Sequence, residues 1–121
     1  MDEFHTPLRL EVDPSNNLND LLAERVTGTP DRVVVEHKTQ QDGPWIPLTA
    51  REFDAEIVAV AKGLVARGIQ PGDRVGIMSR TRYEWSLLDW AVWAAGAVPV
   101  PLYETSASVR IHRTCSAEDV S

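Results

Sequence analysis

The sequence predicts an α/β fold made of a β-hairpin, a parallel strand, helix, strand unit and three main helices. Three observations carry this prediction. The β-branched run Arg32 to His37 is followed by the turn Gln41-Asp42-Gly43-Pro44 and a second extended stretch, Trp45 to Leu48, which reads as a hairpin. Two strand patterns, Arg74 to Ser79 and Val98 to Leu102, flank an apolar helical stretch, and such an order implies a parallel crossover. Two further segments carry apolar residues at helical spacing behind capping residues. A parallel sheet needs cover on both faces, and the chain offers few strands and three convincing helices. It is therefore predicted to be part of a larger domain, with at least one sheet edge and some helix surface unprotected.

In chain order, Asn17 caps a helix predicted to run to about Val26, with Asp20 near its positive end and Leu18, Leu21, Leu22 and Val26 on one stripe. Thr27-Gly28-Thr29-Pro30 ends it, because glycine tolerates a left-handed turn and proline cannot continue the ladder. Pro47 suggests an edge position for the second hairpin strand. Thr49 and Glu52 form a capping box, and the helix they open places Phe53, Ile57, Val60 and Leu64 on a narrow buried face. Gly68 closes that helix, and Pro71-Gly72-Asp73 turns the chain into the next strand.

The third helix, Tyr83 to Ala95, is apolar nearly all round, so most of its surface is predicted to be buried. Only Ser86, Asp89 and Trp93 share a sector that could face water. Trp93 is expected to need a cover that the chain does not contain, and Trp85, Trp90 and Trp93 are read as packing residues. Gly96 closes the helix, and Val98, Val100 and Leu102 alternate with Pro99 and Pro101 as a strand at a sheet margin would. After Ser106 neither a helical stripe nor a strand alternation continues. Residues 1–106 are thus set apart from an irregular tail, 107–121.

The 121 residues, 43% hydrophobic and 25% charged, fit one soluble domain or subdomain. A formal charge of -6 argues against a phosphate-backbone footprint, so no nucleic-acid partner is expected. The opening Met1-Asp2-Glu3-Phe4-His5 is acidic and leads into no apolar core, unlike a secretory signal. The longest apolar run falls short of the roughly 20 residues that cross a bilayer. Cys115 is the only cysteine, which fits a reducing, cytoplasmic compartment. His5, His37 and His112 have no ligand spacing, and no metal is expected.

Several short motifs then fall in a distinctive order: Thr29-Pro30-Asp31-Arg32, Trp45 to Thr49, Ala61-Lys62-Gly63-Leu64, Gly72-Asp73-Arg74-Val75, Tyr83-Glu84-Trp85 and Tyr103-Glu104-Thr105-Ser106. Together they resemble the N-terminal segment of AMP-forming acyl-CoA synthetases over about Leu18 to Ser106. The Tyr-Glu-Thr-Ser loop is most similar to the long-chain fatty acid-CoA ligase branch. The resemblance implies a partial N-terminal subdomain of the acyl-CoA synthetase fold. For full-length members it implies ATP, Mg²⁺ and CoA as participants in converting a fatty acid to acyl-CoA, AMP and pyrophosphate.

The family's phosphate loop, adenylation residues and C-terminal domain lie beyond this segment. The chain is therefore expected to be inactive alone, a remnant left by truncation, a frameshift or an artificial boundary, with no catalytic or cofactor-binding residue of its own. In an intact enzyme the resemblance places Tyr103, Thr105 and Ser106 at a substrate or nucleotide margin. Arg80, Arg82 and Glu84 stand at a helix start beside a strand's C-terminal end, where open α/β sheets place ligands, although surface pairing explains them better. Thr27-Gly28-Thr29-Pro30 echoes a phosphate loop but follows a helix instead of opening one, and is read as a turn. The alternative reading is a stand-alone binding or oligomerisation module, self-associating through an exposed sheet edge or an apolar helix surface.

Overall fold

The computed structural model describes residues 6–7, 11 and 13–105. Ser106, Cys115 and the whole of 107–121 lie outside the described residues. Seven elements follow in order: α1 (Leu18–Gly28), β1 (Val33–His37), β2 (Ile46–Thr49), α2 (Ala50–Ala66), β3 (Arg74–Met78), α3 (Tyr83–Ala94) and β4 (Val98–Leu102).

Helix α1 begins where asparagine chemistry dictates. The Asn17 Oδ1 accepts hydrogen bonds from the backbone N–H groups of Asn19 (2.8 Å) and Asp20 (3.3 Å), and Asp20 Oδ2 accepts the Asn17 N–H at 2.8 Å. This reciprocal box satisfies donors that the first helical turn cannot pair internally. The helix continues to Gly28, two residues past the predicted end. Its apolar stripe is only partly covered: Leu22 and Val26 are half-buried, whereas Leu18 and Leu21 are exposed.

Strands β1 and β2 pair antiparallel, as the turn chemistry predicts, with an irregularity between Val33 and Val35. Thr49 ends β2 and at once caps α2. Its Oγ1 accepts the Glu52 N–H at 3.3 Å, while the Glu52 carboxylate accepts both the Thr49 N–H and the Thr49 hydroxyl at 2.9 Å. These bonds favour the ionised carboxylate and hold the Glu52 pKa below its ordinary value of 4.5. A folded-state pKa below the unfolded one contributes stability above the ordinary value and loses it on acidification. Thr49→Ala removes this cap and is expected to lower the urea midpoint at neutral pH. The gap to the parent chain should narrow below pH 4.5, read from urea midpoints across pH.

Helix α2 buries Ala50, Phe53, Ile57 and Ala61, so the stripe predicted from Phe53 and Ile57 continues through the small Ala61; Val60 and Leu64 are half-buried. The helix ends at Ala66, and Gly68, φ 101°, turns the chain away just beyond it, with the Ile69 N–H reaching back to the Leu64 carbonyl. The chain then enters β3, which pairs parallel with β4 in register Arg74 to Val98 through Met78 to Leu102. Each sheet of the described residues has two strands.

Helix α3, crossing between β3 and β4, covers one face of the parallel pair. Ile77, Val92 and Ala97 form the buried centre, with Leu64, Ile69, Val75, Trp85 and Leu88 packed around it. The other face carries Met78 and Val98, both exposed. Only Ala91 and Val92 of α3 are fully buried, fewer than its apolar composition predicts. Trp93, expected to need an outside cover, is half-buried and meets Trp90 edge-on, with ring centroids 5.4 Å apart. Asp89, assigned to a solvent sector, is half-buried, and desolvation raises its carboxyl pKa. No polar side chain is buried among the described residues.

Candidate functional site

The parallel pair and the start of α3 meet at the carboxyl ends of β3 and β4, the position where open α/β sheets place ligands. A cleft of about 610 Å³ lies there, bordered by Ser79, Arg80, Thr81, Trp85, Pro101, Leu102, Tyr103 and Glu104. Its polar groups engage one another. Arg80 Nε lies 3.4 Å from Glu104 Oε2, and the Ser79 hydroxyl donates to the Arg80 carbonyl at 3.1 Å. Trp85 lends one apolar wall and continues into the core beneath. Such an arrangement can receive a flat or apolar group against Trp85, Leu102 and Tyr103, with a cation and a carboxylate at the rim.

The three residues picked from sequence separate here. Tyr103 lines the cleft and is 81% exposed. Thr105 is exposed but does not border the cleft, and Ser106 lies outside the described residues. Arg80 reaches the cleft, whereas Arg82 and Glu84 turn toward each other with Nε and Oε2 3.2 Å apart and border a second groove.

That second groove separates the hairpin from α3, and sequence reasoning passed over its main feature. The rings of His37 and Tyr83 stack with centroids 4.3 Å apart and an 18° interplanar angle. The Tyr83 hydroxyl donates to Glu56 Oε2 at 2.5 Å. Burial, then this bond to a carboxylate and the charges of Glu56 and Glu84, raise the phenol pKa and keep the hydroxyl protonated. Tyr83 thereby joins three elements, β1, α2 and α3. Nothing local in the sequence marks partners 27 residues apart. Nearby, Lys38 Nζ lies 4.9 Å from the Trp45 ring centroid, so the hairpin's exposed tryptophan is partly covered by its neighbour across the turn.

Residues 22–121 match the family described as AMP-binding enzyme. This chain belongs to that family. The matched span continues through 107–121, which the sequence patterning set apart. Long-chain-fatty-acid–CoA ligase FadD15 of Mycobacterium bovis is 40% identical over 111 residues, covering 92% of this chain and 18% of the relative. FadD15 of Mycobacterium tuberculosis matches with the same identity and coverage. The chain thus spans under a fifth of the length of these curated relatives. Among solved structures, the N-terminal subdomain of Klebsiella oxytoca NpsA superposes with a TM-score of 0.69 at 27% identity, over 83% of this chain and 25% of that one. The α/β arrangement is therefore that of N-terminal subdomains of adenylate-forming enzymes.

Set against the ATP and Mg²⁺ that the family implies, the described residues do not fit. A phosphate cradle needs backbone N–H groups converging where a glycine-rich loop opens a helix. The glycines with positive φ, Gly68, Gly72 and Gly96, instead close helices or turn the chain into β3. Thr27-Gly28-Thr29-Pro30 closes α1, as the sequence indicates, and Thr29 acts as its C-cap. No three His, Cys, Asp or Glu side chains of the described residues converge as metal ligands. No helix of the described residues is long and apolar enough to cross a membrane.

Proposed function

We propose that this chain forms the N-terminal part of a long-chain fatty acid-CoA ligase and has no ligase activity by itself. The 40% identity to FadD15 across nearly the whole chain is the observation that carries this reading. In the intact enzyme, ATP, Mg²⁺ and CoA would be held mainly by segments outside this one. The role of the present residues is to build one wall. The cleft at the ends of β3 and β4 would form part of the substrate or nucleotide margin, with Tyr103 at its rim, and the family resemblance adds Thr105 and Ser106 to the residues that would serve that margin. A reducing cytoplasmic setting suits the reading, given a single cysteine in the sequence.

A chimera tests this directly. The matching segment of M. tuberculosis FadD15 is replaced by this chain, and AMP release dependent on both a long-chain fatty acid and CoA is followed. Retained turnover is expected from the chimera and none from the isolated chain. A well-folded chimera without activity would sink the ligase reading, and turnover by the isolated chain would sink its second half.

A further inference from the structure

We propose that the β1–β2 hairpin is a hinged arm, fixed at its base to α2 and latched near its outer end by the His37 ring lying on Tyr83. The arm's behaviour is independent of the ligase reading, since every contact involved lies within the described residues.

The base is tied through the backbone. The Ala50 N–H donates to the Arg32 carbonyl at 2.9 Å and the Arg51 N–H to the Pro30 carbonyl at 3.1 Å. The first turn of α2 thus spends donors it cannot pair internally on the segment that enters the hairpin. Arg51 Nη2 also lies 3.0 Å from Asp31 Oδ1. On the returning strand Leu48 is buried and Thr49 caps α2 directly. Covalent continuity, the cap and these bonds hold this end in one orientation.

The outer end is held differently. Beyond the strand ladder, the Lys38 ammonium donates to the Gln41 carbonyl at 3.4 Å and the Gly43 N–H to the Gln40 carbonyl at 3.0 Å, both inside the hairpin. Among the described residues no hydrogen bond or ion pair joins 36–46 to the helices or to the parallel pair. Burial adds little, because of residues 36–46 His37 and Gly43 are half-buried and the others are exposed. The aromatic contact that crosses to α3 is the His37 ring on Tyr83, with centroids 4.3 Å apart and planes 18° from parallel.

Tyr83 is a platform that cannot follow the arm. Its hydroxyl is bound to Glu56 of α2, and Phe53, 4% exposed, meets its ring at 51° with centroids 6.2 Å apart. A ring fixed at its hydroxyl and along its flank presents one face, and His37 occupies that face. The latch therefore has the strength of one aromatic pair, so it opens far more often than α2 unfolds. A two-stranded hairpin is marginal alone, so an unlatched arm frays from its tip. Opening also widens the groove of about 660 Å³ between the hairpin and α3.

Amide hydrogen exchange by NMR on the full 121-residue chain tests this. In the parent, the ladder-protected amides of 36–46 are expected to exchange faster than those of Ala50, Arg51 and Ile57. His37→Leu removes the stack and should speed the same hairpin amides a further roughly 3- to 10-fold, the factor one aromatic pair supplies. The Ala50, Arg51 and Ile57 amides should keep their rates, which also reports that the variant is folded. His37→Phe retains a flat ring and should exchange like the parent. Tyr83→Phe keeps the face but frees the ring from Glu56, and should loosen the arm by a smaller factor than His37→Leu. Hairpin amides that exchange together with those of α2 in the parent would overturn the proposal. So would unchanged rates in folded His37→Leu, or equal acceleration in His37→Phe.

Discussion

Ile57→Ala is expected to remove about 2–5 kcal/mol of stability, the range for truncating a buried isoleucine to alanine. Ile57 is 2% exposed at the centre of the buried face of α2, in line with Phe53 and Ala61. Truncation loses the transfer free energy of three carbons and leaves a void that the flanking helices can only partly close. Domains of this size are stable by about 5–15 kcal/mol, so the loss would populate unfolded chain at modest temperature. Ile57→Val should cost about 0.5–1.5 kcal/mol by the same reasoning. Val58→Ala, one residue on and 39% exposed, should lie near 0.5 kcal/mol. Urea midpoints for the three variants check the order. Equal shifts for Ile57→Ala and Val58→Ala would show that α2 does not pack through this face.

Gly96→Val should be nearly as damaging, through the backbone instead of the core. Gly96 has φ 76°, a conformation costing a β-branched residue about 1–3 kcal/mol. An added Cβ would also lie 3.4 Å from the Pro71 Cβ, and valine's two methyl groups would crowd that ring further. The position cannot relax cheaply. The Gly96 carbonyl accepts the Gly72 N–H at 2.9 Å, and the next residue sends its N–H back to Val92 at 3.0 Å. The same turn thus ends α3, starts β4 and ties both to the entry of β3. Gly63 supplies the opposite case. It lies within α2, and a methyl group added there would meet nothing within 4 Å, so Gly63→Ala should stabilise by about 0.5–1 kcal/mol. Thermal melts of the two variants should move in opposite directions. Matching signs would refute the distinction between strained and unstrained glycines.

Local chemistry made most elements legible in the sequence. Thr49 with Glu52, Gly68, Gly96 and the prolines of β4 act within a few residues of themselves, and the structure places element boundaries within one or two residues of those signals. Burial was harder to read. Composition alone suggested an enclosed α3, yet its apolar residues mostly occupy half-buried positions because two strands and α2 cannot surround it. The apolar stripe of α1 is genuine, but half of it faces solvent for the same reason. At the cleft, the loop after β4 was identifiable by its residues, while the partition of Tyr103 into the lining and Thr105 out of it depends on how the strand exits. The Tyr83 to Glu56 bond and the His37 stack arise only when β1, α2 and α3 converge, and no periodicity encodes them.

The absence of any buried polar side chain among the described residues makes shape the source of order inside this fold. A hydroxyl or amide locked in a core penalises alternative packings, because each leaves that group without a partner. Here neighbouring arrangements of leucine, isoleucine, valine and phenylalanine differ only by small packing terms. Volume-conserving exchanges should consequently be absorbed with little loss of stability, at the expense of side-chain uniqueness before overall folding. Ionic conditions should leave the interior nearly unaffected and act at the helix ends and surface pairs, so acid and salt would loosen the periphery while the centre stays intact.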